Sequence, residues 1–361
     1  MKNYIIKIVK KIYRESQNLM DFLLFLPFNL HKKSNFSKNV KKYGLLFVFP
    51  RKNSYFHYLA NLSKDKNIKG KINSSKSIVS MGTCFAEQIH LYYSQKHFNY
   101  EKVSTNQFEF AANWGRITSI EHLLRLTSLY INNDIEKHIK ELTTDKIDDK
   151  IKIELIKSFR NKNNNLDHKT NHFFIDLSRE HLELYSSKSL LISSIKKHIK
   201  AAKKAISNSD TIFLTLGQTG YFKDRFGYFY AIKPSSIFQE FEPLEFIETD
   251  INNISKSVHQ LEECINNLRE LSSNPNIFIS LSPIPAFAYF GKTHKSILEY
   301  HWASKTYLYH VIKQVIARDH KLIYIPTFES VMSANLTSLD DDLRHLKTGF
   351  RNRMFKLFFD S

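Results

Sequence analysis

Glycine is scarce, nine in 361 residues, and no Gly-rich phosphate loop is present. A dinucleotide-binding turn needs several glycines close together, so that class is excluded. Cysteine is scarcer still: only Cys84 and Cys264 occur, neither in a Cys-rich frame. A disulfide scaffold is therefore excluded, and free thiols point to a reducing compartment, the cytoplasm. The 16 histidines are scattered, with no His-x-x-Glu-His or Cys-x-x-Cys spacing. No metal and no other cofactor is expected from that pattern. Long apolar runs are missing too. The stretch Phe22-Leu23-Leu24-Phe25-Leu26-Pro27-Phe28 is far short of the ~20 residues that span a bilayer. It also lacks a small-residue cleavage site, so no signal peptide is expected.

Basic charge, by contrast, is plentiful: 53 Lys and Arg face 35 Asp and Glu, a formal net charge of +18. Such a balance suits anionic partners: nucleic acid, an acidic lipid surface or an acidic polysaccharide. Here the charge is spread along a chain rich in lysine, asparagine and isoleucine, as an AT-rich genome would encode, without a compact arginine stripe. Nucleic acid is not the expected partner. A hydrophobic share of 42% with 14% aromatics gives a folded body rather than disorder.

Residues 1–45 stand apart from that body. Ile5, Ile8, Val9, Ile12 and Tyr13 recur at helical spacing between Lys7, Lys10, Lys11 and Arg14. This predicts a basic amphipathic helix over 1–30, either packed on the body or lying on an anionic membrane surface such as the inner membrane. A polar linker follows. From residue 46 onward, helices alternate with short apolar strands at 77–81, Thr211–Leu216, Asn276–Leu281 and 322–325. Ile254, Val258, Leu261, Ile265, Leu268 and Leu271 show the clearest helical spacing. Alternation of this kind predicts an α/β fold, a mostly parallel sheet covered by helices on both faces. The segment at about 121–190 breaks the alternation and reads as a mainly helical insertion with an asparagine-rich loop. In such folds ligands bind beyond the carboxyl ends of the strands. The turns at 82–86, 217–219 and 282–285 should then share one edge.

Two of the elements can carry chemistry. Cys84 stands at a sharp turn from strand to helix, where N–H groups and the positive helix end favour a thiolate. Its pKa is expected to fall well below the free value of ~8.5. Asp342 and His345, three positions apart, offer a base and the acid that orients it, with Asp340 and Asp341 as neighbouring acids. Together these supply the parts of nucleophilic acyl chemistry. Taken singly, each has a plainer reading, Cys84 as a small buried hydrophobe and His345 as a surface residue.

Gly82-Thr83-Cys84-Phe85-Ala86 resembles the Gly-Ser-Cys-Phe-Ala signature of the GSCFA family, itself similar to the SGNH (GDSL-type) hydrolases. Further blocks agree in order: Phe110 to Thr118, Thr215-Leu216-Gly217-Gln218-Thr219, Ser282-Pro283-Ile284-Pro285 with Ser304-Lys305, and Asp342-Leu343-Arg344-His345. The resemblance covers about 46–361 and implies a three-layer α/β/α fold. It implies Cys84 at the nucleophile position, His345 as base and Asp342 as its partner. The oxyanion candidates are Gly115, Gln218, Thr219 and Asn113. Three departures stand out: Thr83 replaces serine, Thr219 and Gly220 stand where an asparagine or acid is expected, and Arg116 stands where asparagine is usual. Losing one oxyanion donor costs ~3–4 kcal/mol, enough to slow such an enzyme without silencing it.

The expected function is an acyl-ester hydrolase or acyltransferase acting on an acylated small molecule or surface polysaccharide, with acyl-CoA as a donor candidate. The alternative is a non-catalytic glycan- or membrane-surface-binding protein on a degenerate SGNH-like scaffold.

Overall fold

A computed structural model describes residues 77–94, 114–145, 148–159, 171–180, 183–286, 288–334 and 338–359. The predicted N-terminal helix and linker, 1–45, and Asn113 lie outside the described residues. All described residues belong to one compact unit, Lys66–Ser361. In chain order the elements are β1 (Ile78–Gly82), α1 (Cys84–Ser94), α2 (Ile120–Asn132), β2 (Ile139–Thr143), α3 (Asp149–Ser158), β3 (His172–Asp176), β4 (Leu184–Tyr185), α4 (Lys188–Ser207), β5 (Thr211–Leu216), β6 (Tyr221–Asp224), β7 (Phe229–Tyr230), α5 (Ser236–Phe241), β8 (Leu244–Ile247), α6 (Ile254–Leu271), β9 (Asn276–Leu281), α7 (Ile297–Arg318), β10 (Ile323–Tyr324), α8 (Thr327–Ser333) and α9 (Thr348–Phe359).

The chain is an α/β protein around a parallel four-stranded sheet in the order β1-β5-β9-β10. The strands β1 and β5 are buried along their whole length. Unbroken apolar runs do this because both sheet faces are dry, unlike a half-solvated antiparallel strand. Phe213 and Phe278 stack across β5 and β9 with ring centroids 5.0 Å apart. Helix α6 buries Val258, Leu261, Ile265 and Leu268, the residues of the 3–4 spacing. Each such side chain contributes ~1.5–3 kcal/mol on leaving water. Cys264 is in that row too, fully buried, and burial raises its thiol pKa. It is a core residue, as read from its place on the helix.

Register brings the strand ends level. Gly82 pairs with Thr215 and Leu216 with Leu281, so the residues that follow β1, β5 and β9 share one edge. That is the edge predicted for the Cys84, Gly217 and Ser282 turns.

The 121–190 segment differs from the mainly helical insertion expected. It carries α2 and α3, but also β2, β3 and β4, which form an antiparallel sheet. These strands hide polar residues that blur the apolar pattern. Lys140 on β2 is buried and reaches Glu242 at 2.9 Å, with Asp224 beside it, while Asp176 on β3 is buried against Arg179 at 2.5 Å. Paired burial of this kind removes the usual objection to a charge inside. No helix among the described residues is long and apolar enough to cross a membrane.

Candidate active site at the carboxyl edge of the sheet

Gly82 ends β1 at φ +137°, a conformation that side chains rarely adopt. A Cβ there would lie 2.2 Å from the Thr215 carbonyl oxygen. Glycine is thus what lets β1 close on β5 just before the turn. Thr83 then starts the helix: its Oγ1 accepts from the Phe85 N–H at 3.3 Å, while its own N–H donates to Thr215 Oγ1 at 3.0 Å. Threonine keeps the capping hydroxyl of the family's serine, so this departure preserves the local geometry. Cys84 follows as the first helical residue, half-buried and unbridged.

The C-terminal segment is fastened to the same helix. Phe355 on α9 packs on Phe85, centroids 5.5 Å apart, and on Tyr92 at 5.2 Å. Arg351 also bonds to Gln88. This docking fixes the hairpin that precedes α9, closed by the Leu339–Leu346 bridge and by Asp340 N–H donating to the His345 carbonyl at 2.7 Å. Within it, Asp342 accepts from the backbone N–H groups of Arg344 and His345, both at 2.9 Å, and from His345 Nδ1 at 2.5 Å. These bonds hold the Asp342 carboxyl well below the usual carboxylate range, the His345 and Arg344 N–H groups first and the ring next. Between them Leu343 sits at φ +54°, a strained setting for leucine. Strain of this sort persists only where neighbouring bonds over-determine it.

A cleft of about 180 Å³ opens above Cys84. Thr83, Thr118, Gly217, Gln218 and Ser282 line it, and Phe222, Ile284, Pro285 and Phe290 make the apolar part of its wall. Three cations line it: Arg116, Lys233 and Arg344. Arg116 is tied to the buried Glu180, whose Oε1 accepts from Nε at 2.5 Å and whose Oε2 accepts from the Arg116 backbone N–H at 2.7 Å. Lys233 Nζ lies 4.4 Å from the centroid of the Phe290 ring. With Glu180 engaged by Arg116, the cleft favours an anionic ligand.

The thiol itself departs from expectation. Burial pushes the Cys84 pKa up, and the opposing pull of Arg116 and Arg344 does not overcome it. Desolvation of the charged form wins over the favourable charges nearby.

The expected residues separate into groups. Cys84 and Gln218 line the cleft. Asp342 and His345 meet each other, but His345 forms no hydrogen bond with Cys84, and its neighbour Arg344 faces the cleft instead. Thr219 turns away and shares a 2.8 Å hydroxyl bond with Ser304. Gly115, at φ +69°, packs against Glu180. Glu180, Lys233, Arg344 and the fully buried Lys305 received no role from the sequence. Lys305 and Arg344 stood inside the family-like blocks, and Lys305 also lies on the buried helix face of His301 and Leu308. No group of histidines, cysteines and acids that could hold a metal ion occurs among the described residues.

Fold and site together define an α/β protein with a capped cysteine at the carboxyl edge of a parallel sheet, under a cationic cleft. The chain belongs to the GSCFA family, whose model matches residues 77–358. Neither a curated protein nor a solved structure matches the chain.

Proposed function

We propose that this protein is an acyl-transfer enzyme, an esterase or acyltransferase on an SGNH-like three-layer scaffold, with Cys84 as nucleophile. The observation that supports it most is Cys84 on the first turn of α1, opening on a cleft lined by Arg116, Lys233 and Arg344. In the reaction the Cys84 thiol passes its proton to His345 and its sulfur attacks an acyl carbonyl, so that a C–S bond forms and the carbonyl π pair moves onto oxygen. The oxyanion collapses, the ester C–O or thioester C–S bond breaks, and protonated His345 gives its proton to the leaving group. Water or a sugar hydroxyl then passes a proton to His345 and attacks the acyl-cysteine, which releases the thiolate. Gln218, whose side-chain amide forms no hydrogen bond among the described residues, is the oxyanion donor in this scheme. The cationic lining and apolar wall suit an anionic acyl substrate, an acyl-CoA donor or an acidic glycan.

A second reading, a glycan- or membrane-surface-binding protein, is favoured by one observation: burial raises the Cys84 thiol and no base is bonded to it. Turnover of short-chain acyl esters and thioesters by His345→Ala separates the two. A loss of ~10²–10⁴-fold is expected for a base acting in the transition state. Wild-type turnover in the folded variant would remove His345 from the mechanism. No turnover in the wild type, with binding to an acidic glycan or anionic vesicles, would select the second reading.

A further inference from the structure

Lys305 is a buried amine in the middle of α7, 1% exposed. Its Nζ donates to the Gly217 carbonyl oxygen at 2.7 Å, the one hydrogen bond it makes among the described residues. An ammonium has three donors, so two are left without a protein acceptor there. Nor does any carboxylate of the described residues lie within ion-pair distance of it. A buried cation with neither full hydrogen bonding nor a counter-ion is expensive, and such a group needs a nearby negative charge or gives up its proton.

The surroundings narrow the choice. On its own helix, His301 is held neutral by burial, with a pKa of about 4, and Ser304 is engaged with Thr219. From α8 comes the Phe328 ring, 5.8 Å from Nζ to centroid. From the turn after β5 comes Gly217, whose Cα backs directly onto Thr83: a Cβ on Gly217 would lie 2.4 Å from Thr83 Cγ2. Cys84 is the next residue, so one peptide and one threonine separate the amine from the thiol turn. Burial lowers the Lys305 pKa to about 7, and the charge of Cys84 acts against that fall. Around Cys84 itself the other charges are Arg116, Arg344 and Glu87.

We infer that Lys305 is a positioning residue for Cys84, its ammonium serving as the buried counter-charge of the thiolate behind the Gly217 peptide. The inference rests on the reading of Cys84 as nucleophile. In that reaction the thiol's proton passes to His345, so the ammonium keeps its own protons and acts on the charge left on sulfur. Coupling of this kind is mutual: each charge favours the other.

The test is the rate of Cys84 alkylation by iodoacetamide against pH, in the wild type and in Lys305→Met. Below the amine's own titration near 7 the ammonium is present, and alkylation there is expected to be ~10-fold slower in Lys305→Met. Above it the amine is neutral in the wild type, and the two profiles converge. A purely structural role would change the rate equally at every pH. Coincident rates below neutrality in a folded variant would overturn the inference. Should Lys305→Met not fold, the profile of His345→Ala is read by itself: an inflection near pH 7, ahead of the thiol's own, is expected, and a single ionisation would again overturn it. Neither measurement uses an acyl substrate. A missing acyl-enzyme therefore counts against the proposed reaction alone, and rates without this pH-dependent difference against the pair alone.

Discussion

Replacing Cys84 by alanine is expected to lower kcat/KM for acyl esters by ~10³-fold or more, with the fold intact. The side chain is half-buried on the lining of an open cleft, so its loss leaves a small, solvent-reachable gap. Capping of α1 does not depend on it, because Thr83 supplies the hydroxyl. What goes is the atom that forms the covalent bond, and no neighbour substitutes for it. Thr83 is the nearest hydroxyl in sequence, but its Oγ1 is shared between the Phe85 N–H and Thr215 Oγ1 at 3.2 Å. Cys84→Ser is expected to stay close to the alanine variant, since a hydroxyl is far harder to deprotonate than a thiol. Steady-state kinetics together with a thermal melt check both statements. A folded alanine variant with wild-type kcat/KM would end the nucleophile assignment.

Gly82→Ala is expected to be the most damaging single substitution at the turn. The new Cβ would meet backbone on β5, 2.2 Å from the Thr215 oxygen and 2.8 Å from its nitrogen, where no rotamer change gives relief. The φ of +137° adds strain of its own. To accept the methyl group, β1 must part from β5 at the end of their register, and Thr83 must release its bonds to Thr215. Together these place the loss above ~4 kcal/mol, a range reserved for a few severe mechanisms. Urea unfolding of the variant measures it. A midpoint equal to that of the wild type would mean that the close approach of the strands is not required.

Much of the central sheet was legible because its strands are short apolar runs and its helices keep strict spacing. The runs at 211–216 and 276–281 became β5 and β9 with the same bounds. Their level ends followed from parallel connection, and with them the shared edge of the Cys84, Gly217 and Ser282 turns. The antiparallel sheet at 139–185 was hidden because its strands bury charges, and Lys140 finds its partner Asp224 84 positions away. The same holds for Arg116 and Glu180, separated by 64 positions. The short spacing in Asp342-Leu343-Arg344-His345 lets acid and imidazole bond to each other within one turn. It did not reveal that Arg344 would face the cleft, since that depends on how α9 docks on α1. The thiol was expected to titrate low from its place at a helix start. The depth of the site reversed the direction, a property of packing that local sequence does not carry.

The most direct test is to mix the wild-type protein with an activated acyl ester, quench in acid, and map the modified peptide by mass. The account predicts one acyl group on Cys84, removed by hydroxylamine and absent from Cys84→Ala. Turnover with no acyl-cysteine, or an adduct on another residue, would contradict it.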